Sequence, residues 1–210
     1  PLGTVCAPTK KIKALSSEER YALQSKQGRP VFGVQLKIVD DSGIECQRDG
    51  IAFGRLLVKG PWIAEQYYLE DSSALDAEGW FDTGDVATID PNGFMQIVDR
   101  KKDVIKSGGE WISSIELENA AVGHPSVQEA CVIGVLHAKW DERPLLLIVP
   151  TEGQSCDEET ILNFMTGKVA KWSLPDAVLT VESLPHTATG KLLKKDLREE
   201  YKNYLMDSVS

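Results

Sequence analysis

Four short segments of the sequence contain residue types and spacings that could bind or transform a charged ligand. Residues 79–85 place two aspartates around a glycine, and a carboxylate on a tight loop can accept both hydroxyls of a ribose. The acids and bases of residues 99–106 include cations that suit a phosphate. Residues 107–111 carry a glycine pair, which lets the backbone approach a ligand closely. Residues 184–191 form a polar loop that ends in Lys191, a residue type that brings a point charge to phosphates.

Each segment also has a structural interpretation. Residues 79–85 could be a hairpin turn capped by aspartate, and residues 99–106 could be a solvated, self-compensating charge cluster. The glycine pair lacks the G-x-G-x-x-G spacing of a dinucleotide site. Residues 184–191 fail the Walker pattern twice, because Pro185 stands where a glycine is needed and Leu192 where Ser or Thr is needed. The residues alone indicate a two-part domain with an anion-binding or nucleotide-binding character.

Other chemistries have weaker support in the sequence. No nucleophile stands with a base and an orienting acid, and no carboxylate pair is placed for glycoside hydrolysis. The cysteines and histidines lack C-x-x-C and metal-ligand spacing, so we expect free thiols in a reducing compartment and no metal site. These residues are Cys6, Cys46, Cys131, Cys156, His124, His137 and His186.

The composition is that of an ordinary globular protein. The 210 residues are 42% hydrophobic and 26% charged, a length that accommodates two small domains. The formal net charge of −9 comes from an acid excess in both halves, which weighs against a nucleic-acid partner. No apolar run reaches the length of a membrane span and no signal peptide is present, so we predict a cytoplasmic location.

The first half reads as a β-rich subdomain. Ser16 and Glu19 have the spacing of a capping box, which predicts a short helix that ends by Gly28. Several short alternating stretches separated by turn residues follow, and this pattern is typical of a small β-barrel or sandwich. The predicted strands are 34–39, 53–59, 86–89 and 94–98. We therefore predict a small β-barrel-like subdomain.

The second half reads as a compact α+β domain with a three-stranded central sheet and flanking helices. Ser113 or Ser114 caps a predicted helix that runs to Val122. A second helix begins near Cys156 and runs past Phe164 towards Ala170, and the tail is amphipathic. The predicted strands are 127–135, 144–150 and 175–181, and the predicted tail helix is 192–204.

The four segments, in this order and spacing, resemble the adenylate-forming superfamily of acyl-CoA synthetases, luciferases and peptide-synthetase adenylation domains. Residues 80–85, Trp-Phe-Asp-Thr-Gly-Asp, look like its ribose motif. Residues 99–106, Asp-Arg-Lys-Lys-Asp-Val-Ile-Lys, look like its hinge motif, and residues 184–191 look like its catalytic-lysine loop. The sequences of residues 107–114 and 137–144 are similar to those of medium- and long-chain fatty-acyl-CoA synthetases and their relatives, including methylmercaptopropionate-CoA ligases.

The resemblance implies a domain assignment and a reaction. Residues 1–99 would be the end of the large N-terminal domain, its β-barrel subdomain, and residues 100–210 the mobile C-terminal domain. The whole enzyme would be an ATP-dependent fatty-acid–CoA ligase, an AMP-forming acid–thiol ligase. A carboxylate would attack the α-phosphorus of ATP, and the CoA thiol would then attack the acyl carbon. The family's upstream phosphate loop is not in the sequence, so the chain is expected to be inactive alone.

The resemblance also implies roles for particular residues. Asp85 would accept the ribose hydroxyls, and Arg100 would support the ribose–phosphate region. Lys191 would be the catalytic lysine of the first half-reaction. Lys102 would be the hinge, and Lys106 would reach the adenylate in the thioester-forming pose.

The glycine segment would serve the second half-reaction. Gly108 and Gly109 would let the backbone pass close to pantetheine, and Trp111 would pack beside that tunnel. ATP, AMP, CoA and a fatty acid would be the small-molecule partners. Mg²⁺ would accompany ATP through a ligand outside this chain, and the full-length enzyme could form a homodimer. The alternatives are a non-catalytic module that binds nucleotide or a partner weakly, and a related ligase such as methylmercaptopropionate-CoA ligase.

Overall fold

The computed structural model describes residues 3–7 and 9–207. The chain divides into two compact units, and the division lies between Lys102 and Asp103. This position falls inside the charged segment 99–106.

The first unit is built mainly from an antiparallel four-stranded sheet in chain order. A short two-stranded ribbon and two short helices precede it. Its elements are β1 (Thr4–Val5), α1 (Lys10–Lys13), α2 (Ser17–Gln24), β2 (Arg29–Pro30), β3 (Gln35–Val39), β4 (Gly54–Lys59), β5 (Phe81–Ile89) and β6 (Met95–Arg100).

One apolar face of this sheet forms the core of the first unit. Side chains that point to the same face lie two residues apart along a strand, as Leu36 and Ile38 do in β3 and Ala87 and Ile89 in β5. The buried set is Val34, Leu36, Ile38, Leu56, Ala87, Ile89 and Met95. The β-rich character predicted for this half is confirmed. In the described residues the sheet is open, because β3 and β6 are its two edges and each pairs with only one strand of it.

The prediction of a tight loop at residues 79–85 was wrong for the second part of the segment. The second part of the segment lies inside β5, where Asp82 pairs with Leu57 of β4 and Asp85 pairs with Arg100 of β6. Both ladders shift register near the segment, and Gly84 has a φ of +73°. Glycine and aspartate are typical of turns, but pairing with a strand on each side overrides that local preference.

The second unit contains a mixed sheet with helices on both faces. Its elements are β7 (Ile105–Ser107), β8 (Glu110–Ile112), α3 (Ser114–Val122), β9 (Val127–His137), β10 (Asp141–Pro150), α4 (Glu158–Met165), a 3₁₀ helix (Lys171–Ser173), β11 (Ala177–Thr180), α5 (Lys194–Tyr201) and α6 (Tyr204–Asp207). No helix in the described ranges is both long and apolar enough to cross a membrane.

The sheet of the second unit has five strands, two more than predicted. The central strand β10 is antiparallel to β9 and β7 and parallel to β11, and β8 pairs with β7. The three predicted strands are all present as β9, β10 and β11. The additional strands β7 and β8 have three residues each, too few to show a period of two in the sequence.

Both faces of this sheet are buried, so β9 and β10 read as continuous apolar runs. Helices α3 and α4 cover one face, where the buried set includes Ile105, Ile112, Leu117, Val132, Leu146 and Ile161. Helices α5 and α6 cover the other face, where the buried set includes Cys131, Ile133, Leu145, Leu184, Leu197 and Leu205. The α+β class predicted from the sequence is confirmed.

Helix starts agree well with the sequence. The Ser16 hydroxyl accepts from the backbone N–H of Glu19, and the Glu19 carboxylate accepts from the backbone N–H of Ser16. The predicted capping box is therefore present. The Ser113 side chain caps α3 by accepting from the backbone N–H of Glu116 at 3.1 Å. Helix α4 ends at Met165, earlier than predicted, and Gly167 follows with a φ of +83° that is incompatible with a continuing helix.

Candidate functional site

Asp85 and Arg100 form an ion pair across the β5–β6 ladder of the first unit. The two residues are register partners, and Arg100 Nε lies 3.1 Å from Asp85 Oδ1. The Asp85 side chain is only 21% exposed, while that of Arg100 is 60% exposed. Burial raises the pKa of Asp85, Arg100 opposes that rise, and the charge of Asp82 adds to it. The pair presents a shielded acceptor beside an exposed cation, a combination that suits hydroxyl and phosphate groups.

Asp82 holds the backbone around this pair. Its carboxylate accepts from Arg55 NH1 at 2.9 Å and from the backbone N–H of Gly84 at 3.0 Å. The Gly84 carbonyl in turn accepts from the backbone N–H of Lys101 at 2.9 Å. Sequence reasoning noted Asp82 only as the second acid of the motif. Its supporting role depends on Arg55, which lies 27 residues away in the sequence.

A cavity of about 530 Å³ lies beside Gly84. Its other lining residues are the three consecutive cations Arg100, Lys101 and Lys102. This volume is within the range of small-molecule sites, and the cationic lining suits an anion. Among the described residues there is no group of three or more histidine, cysteine or acidic side chains that could hold a metal ion.

Lys102 lies between two well-held neighbours at the boundary of the units. On one side, Lys101 donates its backbone N–H to Gly84. On the other side, the Asp103 carboxylate lies 2.5 Å from Arg198 NH1 of α5. Lys102 itself is exposed. A change of backbone torsion at Lys102 would therefore break fewer of these contacts than a change at Lys101 or Asp103.

The residues predicted to serve the second half-reaction lie on one hairpin of the second unit. Gly108 and Gly109 form the two-residue turn between β7 and β8, and their φ values are +58° and +90°. Positive φ at both central residues is what a type I′ turn requires, and Gly-Gly meets this requirement. Lys106 is the register partner of Trp111, and its Nζ lies 5.2 Å from the centre of a Trp111 ring. This distance is within the range of a cation–π contact.

The Lys191 loop is closed by its own hydrogen bonds. The Thr187 hydroxyl accepts from the backbone N–H of Lys191 at 3.1 Å, and the Thr187 N–H donates to the Lys191 carbonyl at 2.8 Å. Gly190 has a φ of +79°, and its N–H donates to the Thr187 carbonyl. The backbone of Lys191 is thus held while its side chain is exposed.

The structure does not bring Lys191 and the glycine hairpin together. The Lys191 loop lies near the far end of β10, since His186 Nε2 is 3.6 Å from Glu129, the register partner of Val149. The hairpin lies near the start of β10, where Ser107 pairs with Asp141. Eight residues of strand separate these two points, which is roughly 26 Å at about 3.3 Å per residue. Ile105 and Ile112 of the hairpin strands belong to the buried cluster under α3 and α4, whereas Leu184 and Leu192 beside the Lys191 loop pack in the cluster under α5 and α6.

Sequence reasoning missed the residues that support the hairpin. Trp140 accepts from the Gly108 N–H at 2.9 Å, and Arg143 NH1 lies 3.2 Å from the Ser107 hydroxyl. In the sequence, residues 137–144 stand out only by their resemblance to fatty-acyl-CoA synthetases. Its proximity to the hairpin follows from strand pairing between residues more than 30 positions apart.

Comparison with known proteins shows what this chain is similar to. Residues 116–191 match the family described as the AMP-binding enzyme C-terminal domain. The 3-methylmercaptopropionyl-CoA ligase of Ruegeria lacuscaerulensis is 54% identical over 98% of the chain and 38% of its own length. The medium-chain-fatty-acid–CoA ligase of Ectopseudomonas oleovorans is 48% identical over the whole chain and 38% of its own length.

A solved structure supports the same relationship. The o-succinylbenzoate-CoA synthetase of Bacillus subtilis, in complex with an acyl-adenylate intermediate, superposes with a TM-score of 0.75. It is 32% identical and covers 88% of this chain and 37% of its own. The fold and the matched segments define an adenylate-forming enzyme domain. Residues 116–191 belong to the family of AMP-binding enzyme C-terminal domains, and the curated relatives of the chain at high identity are CoA ligases. It spans about 38% of the length of those relatives.

Proposed function

We propose that this chain provides the ribose-binding carboxylate, the hinge and the small catalytic domain of an AMP-forming fatty-acid–CoA ligase. In the first half-reaction a fatty acid and ATP give an acyl-adenylate and pyrophosphate. In the second, the CoA thiol attacks the acyl carbon and AMP leaves. The observation that carries the proposal is the separation of Lys191 and the glycine hairpin by roughly 26 Å along β10.

This separation favours two half-reactions that use two ends of one domain. A single bound nucleotide cannot contact both features at once across that length. A rotation about Lys102 would present the Lys191 loop for adenylation and then the hairpin for thiol transfer. The exposed position of Lys102 between two hydrogen-bonded neighbours supports this residue as the pivot.

On the nucleotide side, we propose that Asp85 accepts the ribose hydroxyls. Arg100 would then contact the ribose–phosphate region, helped by the neighbouring cationic cavity. Lys191 would bridge carboxylate and α-phosphate oxygens as charge builds during adenylation. Loss of one such preorganised contact typically costs on the order of 10²–10³ in rate, or about 3–4 kcal/mol.

On the thiol side, Gly108 and Gly109 would let pantetheine pass close to the backbone. Trp111 would pack beside it, and Lys106 would reach the adenylate from the same hairpin. ATP and CoA as substrates are supported by the relatives, which are CoA ligases. The predictions that Mg²⁺ accompanies ATP, that the whole enzyme is a homodimer and that it is cytoplasmic stay predictions.

A second candidate for the acid comes from a relative. The 54% identity to a 3-methylmercaptopropionyl-CoA ligase favours a short thioether acid as an alternative to a fatty acid. Both candidates use the same two half-reactions and the same residues of this chain. A non-catalytic module that binds nucleotide weakly is the contrasting class, and it predicts no dependence of any half-reaction on Lys191.

A chimaera tests the proposal. In it, this chain replaces the matching segment of the Ectopseudomonas oleovorans ligase, and ATP–pyrophosphate exchange is measured with a medium-chain fatty acid. We expect Lys191→Ala to lower the exchange rate roughly 10²–10³-fold and to leave acyl-CoA formation from supplied acyl-adenylate within about twofold. Lys195→Ala, at an exposed lysine on α5, is the matched control and should leave both steps unchanged.

Three results would count against the proposal. Equal losses in the two steps would contradict the assignment of Lys191 to adenylation alone. An ATP–pyrophosphate exchange rate that Lys191→Ala leaves unchanged would favour the non-catalytic class. Robust exchange by the 210-residue chain alone would contradict its dependence on a partner domain.

A further inference from the structure

The glycine hairpin contacts Trp140, the residue just before β10. The Trp140 carbonyl accepts from the Gly108 N–H at 2.9 Å. The Trp140 ring lies against the same glycine, because a Cβ placed on Gly108 would be 2.7 Å from the ring atom Cε3. The turn and the indole are therefore in direct contact, with no room for a side chain between them.

Glu142 holds the middle of β7. Its Oε2 accepts from the backbone N–H of Lys106 at 3.0 Å. Gly134 on β9 makes space for this carboxylate, since a Cβ there would lie 3.0 Å from the same oxygen. A carboxylate acceptor on a backbone N–H gives a stronger bond than a neutral one. This contact fixes the backbone from which the Lys106 side chain projects.

Arg143 ties the hairpin to the segment before β11. Its Nε and NH2 lie 2.7 Å and 2.6 Å from Asp176 Oδ1. Its NH1 donates to the Ser107 hydroxyl at 3.2 Å and to the Trp172 carbonyl at 2.8 Å, and NH2 donates to the Leu174 carbonyl at 2.9 Å. The side chain is only 12% exposed. The planar guanidinium carries several donors in fixed directions, so Arg143 can hold the hairpin and residues 172–176 at once.

We infer that Trp140, Glu142 and Arg143 are positioning residues for the thioester-forming step alone. All three contact the hairpin, and each contact falls on a residue of the 106–108 segment. The Lys191 loop lies near the other end of β10, roughly 26 Å away along the strand. Loosening the hairpin should therefore leave adenylation intact. This inference rests on the proposed function for its link to catalysis.

The positioning itself can be tested on the 210-residue chain by amide hydrogen exchange. Arg143→Met keeps the length of the side chain and removes every donor. We expect exchange of the 105–112 amides to rise roughly 10- to 100-fold, because hydrogen bonds to a charged group are lost. The amides of 184–193 should stay within about twofold. Arg48→Met is the control, since Arg48 also bonds a carbonyl and a carboxylate but in the first unit.

A uniform rise over the whole second unit would overturn the inference, and so would no rise at all. Glu142→Gln provides a second variant if Arg143→Met does not fold. It keeps the shape of the side chain, weakens the bond to Lys106 and should raise exchange in the same hairpin by a smaller factor. An unchanged hairpin in this variant would also overturn the inference.

The link to catalysis is tested in the chimaera described above. We expect Arg143→Met to raise the KM for CoA or to lower the thioester-forming rate at least tenfold. ATP–pyrophosphate exchange should stay within about twofold, a split that a general folding defect would not produce. Parallel losses in both steps would overturn the inference. A chimaera that makes no acyl-CoA although its hairpin is intact would instead refute the proposed function. The two failures are distinguishable because amide hydrogen exchange in the 210-residue chain does not depend on that function.

Discussion

Alanine substitutions at the two adjacent glycines of the β7–β8 turn should have unequal effects on stability. Gly108 and Gly109 both have positive φ, at +58° and +90°. They differ in their surroundings: a Cβ on Gly108 would lie 2.7 Å from the Trp140 ring, whereas a Cβ on Gly109 would have nothing within 4 Å. The pair therefore separates backbone strain from steric overlap at neighbouring positions.

The two contributions can be given magnitudes. A non-glycine residue in the left-handed region costs about 1–2 kcal/mol, and this strain applies to both variants. Inserting a methyl group into filled space costs about 1–3 kcal/mol more, and this applies to Gly108→Ala alone. Trp140 is 41% exposed and its ring can shift, so we expect the added cost in the lower part of that range. Gly108→Ala should lower the free energy of unfolding by about 2–4 kcal/mol and Gly109→Ala by about 1–2 kcal/mol.

Urea unfolding followed by circular dichroism measures this difference. A double variant identifies its origin, because Trp140→Ala removes the ring that the new methyl group meets. In the Trp140→Ala background the two glycine variants should differ by less than about 0.5 kcal/mol, the usual limit of additivity. Equal destabilisation in the wild-type background would refute the predicted overlap. A difference that persists without the indole would refute its assignment to Trp140.

Two further predictions concern buried groups of the second unit. Asp103→Asn should lower the free energy of unfolding by about 1.5–3 kcal/mol, because the carboxylate that faces Arg198 is 13% exposed. The exposed Asp71→Asn should change it by less than about 0.5 kcal/mol, and equal effects in urea titrations would contradict this prediction. Burial, assisted by the charge of Glu118, raises the pKa of Cys131 from 9.0 to about 12. Between these pH values the thiol is protonated when folded and ionised when unfolded, so stability should fall as pH rises, by about 1.4 kcal/mol per pH unit. Cys131→Ala should lack this contribution, and identical pH slopes for the two proteins would disprove it.

Local sequence patterns predicted the elements whose causes are local. The Ser16–Glu19 box and the Ser113 cap each bond residues three positions apart, so their partners are visible in the sequence. The long apolar runs of β9 and β10 likewise predict buried strands without further information. The chain's own motifs also indicated the adenylate-forming family, which the comparisons confirmed.

Patterns failed where the cause lies in distant parts of the chain. The short strands β7 and β8 form because Ser107 meets Asp141, a pairing that no window of three residues can reveal. The aspartate motif at 82–85 was taken for a loop because its glycine and acids favour turns. Pairing with β4 and β6 holds it in a strand instead.

The sequence by itself determined which residue types are available for chemistry and in which order they occur. Asp85, Lys102, Gly108 and Lys191 could all be named without coordinates. The tertiary structure alone decided that Lys191 and the glycine hairpin lie near opposite ends of β10, and that Arg143 supports one of them. The physical reason is that spacing along a chain does not define distance in space. Strand register and the burial of both sheet faces define it, and both depend on residues far apart in the sequence.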